Sequence, residues 1–200
     1  HCCVRRVPVQ PQPSAGSQRQ ALVNGPVAGI PHLRRRGEFQ AAIELAEQML
    51  DIAQVTEDPL LTAIAHVMMA WTLQRGEFVQ SQAHYEHMVA LYDPQQHRSL
   101  AYLYGADPGV YALAWMACTL WFLGYPDQAW QWGQRALVVA KELDHPFTLN
   151  FALNVAAAQL HIYRREFQTA KEWSEAEMRL ADEERFPFYR ATARVHLGCA

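Results

Sequence analysis

At 200 residues, half of them apolar and 18% charged, the chain can bury a sizeable core as one domain or as about four or five units of a short repeat. A net charge of −3 and a pI of about 6.3 argue against nucleic acid as a partner, and the apolar runs are too short to cross a bilayer, so no membrane role is expected. Four cysteines, Cys2, Cys3, Cys118 and Cys199, fit neither a disulfide framework nor a metal knuckle, which points to a reducing, cytoplasmic setting with the thiols as small apolar fillers.

The first 36 residues carry six arginines and no acid, so this stretch holds +6 and the remainder −9. Five of the eleven prolines lie there, around VPVQPQPSAGSQRQ, at a density that propagates neither helix nor sheet. A targeting peptide or a basic arm would share that composition, but no apolar run of secretory type follows the arginines. Residues 1–32 are therefore assigned to a linker or disordered leader, and residues 33–200 to a folded domain. The chain opens on His1 rather than Met and stops within a helical pattern at Ala200, as a fragment of a longer protein would.

From residue 33 onward the chain repeats itself. Arg36-Gly37-Glu38-Phe39, Arg75-Gly76-Glu77-Phe78, Leu123-Gly124-Tyr125-Pro126 and Arg165-Glu166-Phe167 align with spacings of 39, 48 and 41 residues. Five residues after each anchor stands a small side chain: Ala42, Ser81, Ala129, Ala170. Apolar residues then recur at three- and four-residue steps, as in Ile43, Ala46, Met49, Leu50 and Ala53. Upstream of three anchors a second helical pattern opens on proline: Pro59 to Gln74, Pro108 to Leu123, Pro146 to Arg164. Each unit thus predicts helix, tight turn at glycine, helix, and a loop ending in Asp-Pro or His-Pro. Small residues just past the turn let the paired helices approach closely. One hairpin cannot cover its own apolar face, so neighbours must stack on it. Residues 21–36 supply a poor or short first helix for the first unit, broken by Gly25, Pro26, Gly29 and Pro31. Phe186-Pro187-Phe188 opens the first helix of a fifth hairpin, which should leave an unpaired apolar face at the C-terminal edge. The fold class is all-α.

Glycine, acid and aromatic in succession, alanine three residues after the aromatic, and a helix running to Asp-Pro resemble the tetratricopeptide repeat. That resemblance implies a right-handed superhelical solenoid of about four hairpins plus a truncated fifth, although these units exceed the usual 34 residues. Longer helices and loops are similar to the arrays of bacterial signalling ATPases and of maltose-regulon-type transcriptional activators. The segments Tyr92–Gly109 and Leu120–Ala129 resemble the C-terminal helical region of bacterial proteins that join a class III adenylate/guanylate cyclase to an AAA-type ATPase. Neither of those domains is encoded here. The only lysines, Lys141 and Lys171, follow no glycine loop, and there is no Gly-x-Ser-x-Gly, paired catalytic carboxylate or His-Glu-x-x-His motif. No enzyme activity and no cofactor are expected of this chain.

Two constellations compete with a purely architectural reading. His84 and His87 stand one helical turn apart with His97 downstream, but a structural zinc site needs four ligands, and an exposed His-rich helix face explains them without a metal. The insertion 92–109 concentrates Tyr92, His97, Arg98, Tyr102 and Tyr104 between Asp93 and Asp107. It is either a loop that grips a ligand or a cap over the joint between hairpins, since Leu100, Ala101 and Leu103 are core-seeking.

The repeat resemblance also implies a groove lined by first helices. Counted back from the anchors, its places fall on His66, Ala70, Leu73 and Gln74, on Tyr111, Ala114, Cys118, Trp121 and Phe122, and on Ala152, Val155, Gln159, Ile162 and Tyr163. Such a trough lacks the lysines and arginines of a carboxylate clamp and suits an amphipathic helix, an apolar peptide or another domain of the same chain. The alternative is that Trp121 and Phe122 merely fill the interior. The expected role is a protein-interaction scaffold within a larger signalling protein, or else an effector-sensing array with a pocket of aromatics and a few polar groups.

Overall fold

The computed structural model describes residues 25–97 and 99–200, with Gln96 described by its backbone alone. Cys2, Cys3, Arg98 and most of the 1–32 leader lie outside the described residues. Among the described residues every element is helical. The helices are α1 (Pro26–Arg36), α2 (Phe39–Thr56), α3 (Pro59–Leu73), α4 (Phe78–Leu91), the short α5 (Pro94–His97) and α6 (Leu100–Tyr104), and α7 (Pro108–Phe122). α8 (Pro126–Leu143) follows, then α9 over 146–163, α10 (Phe167–Glu183) and α11 (Pro187–Cys199). The first helix begins at Pro26, inside the stretch assigned to the leader, and is 11 residues long with Pro31 in its interior.

Starts and stops follow local chemistry. Proline occupies the first turn of α1, α3, α7, α8, α9 and α11, where its missing N–H has no helical partner to lose. Asp58 caps α3 by accepting from the Leu60 amide at 2.9 Å, and Asp107 caps α7 by accepting from Val110 at 2.9 Å. Hairpin turns use left-handed backbone at Gly37, Gly124 and Arg165, with φ of 79°, 85° and 59°. Gly76 is the exception: it turns without a positive φ. Joints between hairpins place Glu57, Asp144 and Arg185 in the same left-handed region, at a cost of about 1–2 kcal/mol each.

The four small residues past the anchors, Ala42, Ser81, Ala129 and Ala170, are fully buried. Ser81 adds a cross-helix bond, its Oγ donating to the Ala70 carbonyl at 2.8 Å. Consecutive helices pack as hairpins α1/α2, α3/α4, α7/α8 and α9/α10, and every substantial contact between elements lies within one hairpin or between successive ones. First helices also touch in succession, α1 on α3, α3 on α7, α7 on α9 and α9 on α11. The arrangement is an array of helices with packing between neighbours, as a helical repeat requires. On α11, Phe188 and Val195 are exposed, which leaves apolar surface at that edge.

The stretch read as one helix from Pro146 to Arg164 is interrupted. α-Helical Pro146–Ala152 and Leu160–Tyr163 flank a π-helical Leu153–Gln159. Gly133 of α8 lies against this segment so closely that a Cβ there would meet the Ala156 carbonyl at 2.9 Å. Nearby, the fully buried Glu177 of α10 accepts from Asn154 Nδ2 at 2.8 Å and Thr192 Oγ1 at 2.8 Å. His196 Nδ1 lies 3.2 Å from its second oxygen, so one carboxylate ties α9, α10 and α11 together.

Candidate functional site

First helices converge on an apolar cavity of about 290 Å³. Its walls come from Val27 and Pro31 of α1, Ile64, Met68 and Trp71 of α3, Pro108 and Tyr111 of α7, Phe147 and Phe151 of α9, and Tyr189 of α11. The end of α6 and the turn after it close one side with Tyr104, Gly105 and Ala106. Aromatic rings form a chain through this wall. Trp71 meets Tyr111 edge-on at 5.8 Å, Tyr111 stacks on Phe151 at 4.8 Å, and Phe147 meets Tyr189 edge-on at 5.0 Å. Such contacts contribute about 0.5–1.5 kcal/mol each beyond the area they bury, so the wall is held by its own members.

The chain of rings ends on a cation. The Arg34 guanidinium lies over the Trp71 ring, 3.5 Å from its centre. Arg34 is 9% exposed, its Nε makes no hydrogen bond, and among the described residues no carboxylate pairs with it. Burial lowers its pKa to about 10, with the nearby Tyr111 and Tyr85 opposing that shift. It remains protonated at neutral pH. Burial likewise pushes the Tyr85 hydroxyl well above its ordinary value, and that hydroxyl is buried without a partner.

Of the groove residues expected from the repeat, Tyr111 alone lines this cavity. Trp121, Phe122 and Tyr163 assemble near the hairpin turns, Phe122 stacked on Phe78 at 5.1 Å and Tyr163 on Trp121 at 6.4 Å. Phe122 is 51% exposed there, and Gln159 donates to the Tyr163 hydroxyl. Leu73 packs against the N-terminal core around Ile64 and Met69. His66 turns towards α4, its Nδ1 2.8 Å from His84 Nδ1, while its ring stacks on His87 at 4.9 Å. The third histidine beside His84 and His87 is therefore His66, and His97 instead accepts from the Asp93 amide at 3.1 Å. Stacking presents ring faces rather than nitrogen lone pairs, and among the described residues no group of three His, Cys, Asp or Glu is placed to hold a metal. Burial and the neighbouring imidazoles lower the His66 pKa to about 4.

The insertion divides between brace and wall. Tyr92 lies flat on Gly109, and its hydroxyl donates to Asp107 Oδ1 at 2.7 Å. Burial, more than this bond, raises the tyrosine pKa, and it raises that of Asp107 as well. Asp107 also donates its amide to Thr148 Oγ1 at 3.0 Å, which joins the insertion to α9. Leu100 and Ala101 are buried, as core-seeking residues should be, whereas Leu103 is exposed. Tyr102 is 77% exposed with its ring edge-on to His145 at 4.8 Å. Tyr104 faces the cavity; Arg98 lies outside the described residues.

Sequence reasoning missed Arg34, Trp71, Phe147, Phe151 and Tyr189. A fixed count back from each anchor cannot find them. Trp71 stands near the end of α3, whereas Tyr111 and Phe151 stand near the starts of α7 and α9, so the wall shifts along successive helices. Arg34 was counted only as one of the six arginines of the first 36 residues, and its spacing from Val27 and Pro31 (i, i+4, i+7) was the available signal that it shares their face. No helix is long and apolar enough to cross a membrane among the described residues. No protein-family model matches the chain, and no curated protein does.

Proposed function

We propose that this chain is a non-catalytic, cytoplasmic protein-interaction scaffold serving a larger bacterial signalling protein of the cyclase–ATPase type. In this reading tetratricopeptide-like hairpins stack as a right-handed superhelix whose inner side is the first-helix layer, and a protein or peptide, or another domain of the same chain, binds there. The observation that carries it is the aromatic cavity: side chains of five first helices wall it without filling it. Apolar, concave surface of that kind suits an inserted side chain of a partner helix or peptide. Coupling to other domains would follow from different affinities for two states of the whole protein.

The test uses the full chain as bait in affinity capture, beside Ala106→Phe, which fills the cavity, and Phe122→Ala, which trims the exposed ring near the turn. A specific protein retained by the parent chain and lost with Ala106→Phe supports the scaffold. Capture indifferent to both substitutions refutes the first-helix layer as the contact surface.

A second reading, effector sensing, is favoured by the cavity's size and lining. Its 290 Å³ stands at the small end of ligand pockets, and aromatic rings with a few polar groups are their usual lining. Co-purification of a small molecule, released on denaturation and absent from Ala106→Phe, would support it.

A further inference from the structure

We propose that the cavity is a binding site for a small, flat, uncharged aromatic molecule the size of two fused rings, selected by the ring-lined wall itself. The inference rests on the effector-sensing reading of the first-helix layer and names the ligand's chemical class.

Charge decides the first part. The residues that line the space are aliphatic, aromatic, proline, glycine or alanine, and none of them is acidic, basic or a histidine. Apart from the Met68 thioether, their polar side-chain groups are the hydroxyls of Tyr104, Tyr111 and Tyr189 and the indole N–H of Trp71. Burial pushes the Tyr111 and Tyr189 hydroxyls above their ordinary range, which keeps them neutral. Arg34 rests on Trp71 but is not itself part of the lining. A carboxylate or an ammonium entering here would shed its water and meet no opposite charge in the lining, a cost that apolar contact does not return.

Ring geometry decides the second part. Tyr111 and Phe151 lie nearly parallel, with 8° between their planes, while Trp71 stands edge-on to Tyr111 and Phe147 edge-on to Tyr189. Walls that hold rings in both orientations offer a flat ring stacked and edge-to-face contacts, which a saturated, puckered skeleton of equal size cannot match.

Size decides the third. The volume of about 290 Å³ is about twice that of the roughly 150 Å³ apolar cavity that takes up one benzene. Side chains cannot easily swing in to fill it, because Pro31, Gly105, Ala106 and Pro108 of the lining have no rotamer to change.

The test is titration of the full chain with three probes on one skeleton: 2-naphthol, 2-naphthoate and decahydro-2-naphthol. Calorimetry gives the affinities. The indole N–H resonance of Trp71, assigned by its loss in Trp71→Phe, reports where the probe binds. The naphthol should bind at least about tenfold more tightly than the naphthoate, about threefold more tightly than the saturated alcohol, and should shift the Trp71 resonance. Ala106→Phe, which fills the space, should abolish binding. Equal or tighter binding of the naphthoate overturns the uncharged class and leaves the effector-sensing reading standing. Equal binding of the two alcohols overturns the aromatic assignment in the same way. Absence of binding by all three probes overturns the proposal together with the cavity as a ligand site. So does binding that leaves the Trp71 resonance unmoved, a readout that holds even where Ala106→Phe does not fold.

Discussion

Two buried ionisable side chains, one on α1 and one on α10, are treated differently. Glu177 is fully buried and engages Asn154, Thr192 and His196 from the helices on either side. Arg34 is nearly as buried and has an indole beneath it but, among the described residues, no carboxylate beside it. A charge whose bonds are all made within the fold fixes a joint between helices. A guanidinium whose Nε is unbonded and whose face rests on an indole makes no such tie between helices. The contrast separates a cross-linked part of the molecule, around α9 to α11, from a part around α1 and α3 where a buried cation rests on an indole alone.

The contrast breaks most visibly at Glu177. Glu177→Ala strands three polar partners and should lower unfolding free energy by about 3 kcal/mol, read by urea denaturation; a loss below that of an ordinary surface substitution would mean the network is not structural. Next is Gly133→Val, where the added side chain meets the Ala156 carbonyl and Leu160. It should cost about 2 kcal/mol and alter the far-ultraviolet dichroism of α9's segment little. Ser81→Ala removes a single bond to Ala70 and should cost about 1 kcal/mol by the same denaturation.

Another effect depends on pH. His66 titrates near 4 in the fold against an ordinary 6.5, so the folded state favours its neutral form. That contribution to stability is complete above about pH 6.5 and is lost as pH falls towards 4. Urea midpoints at pH 7.5, 6 and 5 should therefore fall less steeply for His66→Gln than for the parent chain. Parallel slopes would mean the histidine cluster does not sense protons. Smallest of all, Arg34→Met should change stability by no more than a few tenths of a kcal/mol and in the favourable direction, the opposite of Glu177→Ala and the sharpest statement of the comparison.

Much of the architecture was legible because its determinants are local. The anchors, the prolines and the four small residues mark hairpins through backbone chemistry that needs no knowledge of neighbours, and Arg165 stands in the left-handed turn where alignment put it beside glycine. The π-helical turn in α9 was not legible, since it departs from an apolar periodicity that continues unbroken through it. Site residues fared unevenly for a related reason. Tyr111 and Tyr104 reach the cavity, but Trp121, Phe122, Gln159 and Tyr163 lie nearer the turns, because the alignment between first helices changes from one hairpin to the next and sequence periodicity carries no measure of it. The histidines show the same limit: His84 and His87 are visible as a pair, while their contact with His66 depends on how α3 and α4 face each other.

Packing confined to successive hairpins also has a consequence during synthesis. The inter-hairpin hydrogen bond from Gln74 to Thr119 spans 45 residues and that from Asp107 to Thr148 spans 41. Each hairpin emerging from the ribosome therefore meets its docking surface already made, and the chain can fold vectorially from its N-terminal side with little wait for distant segments.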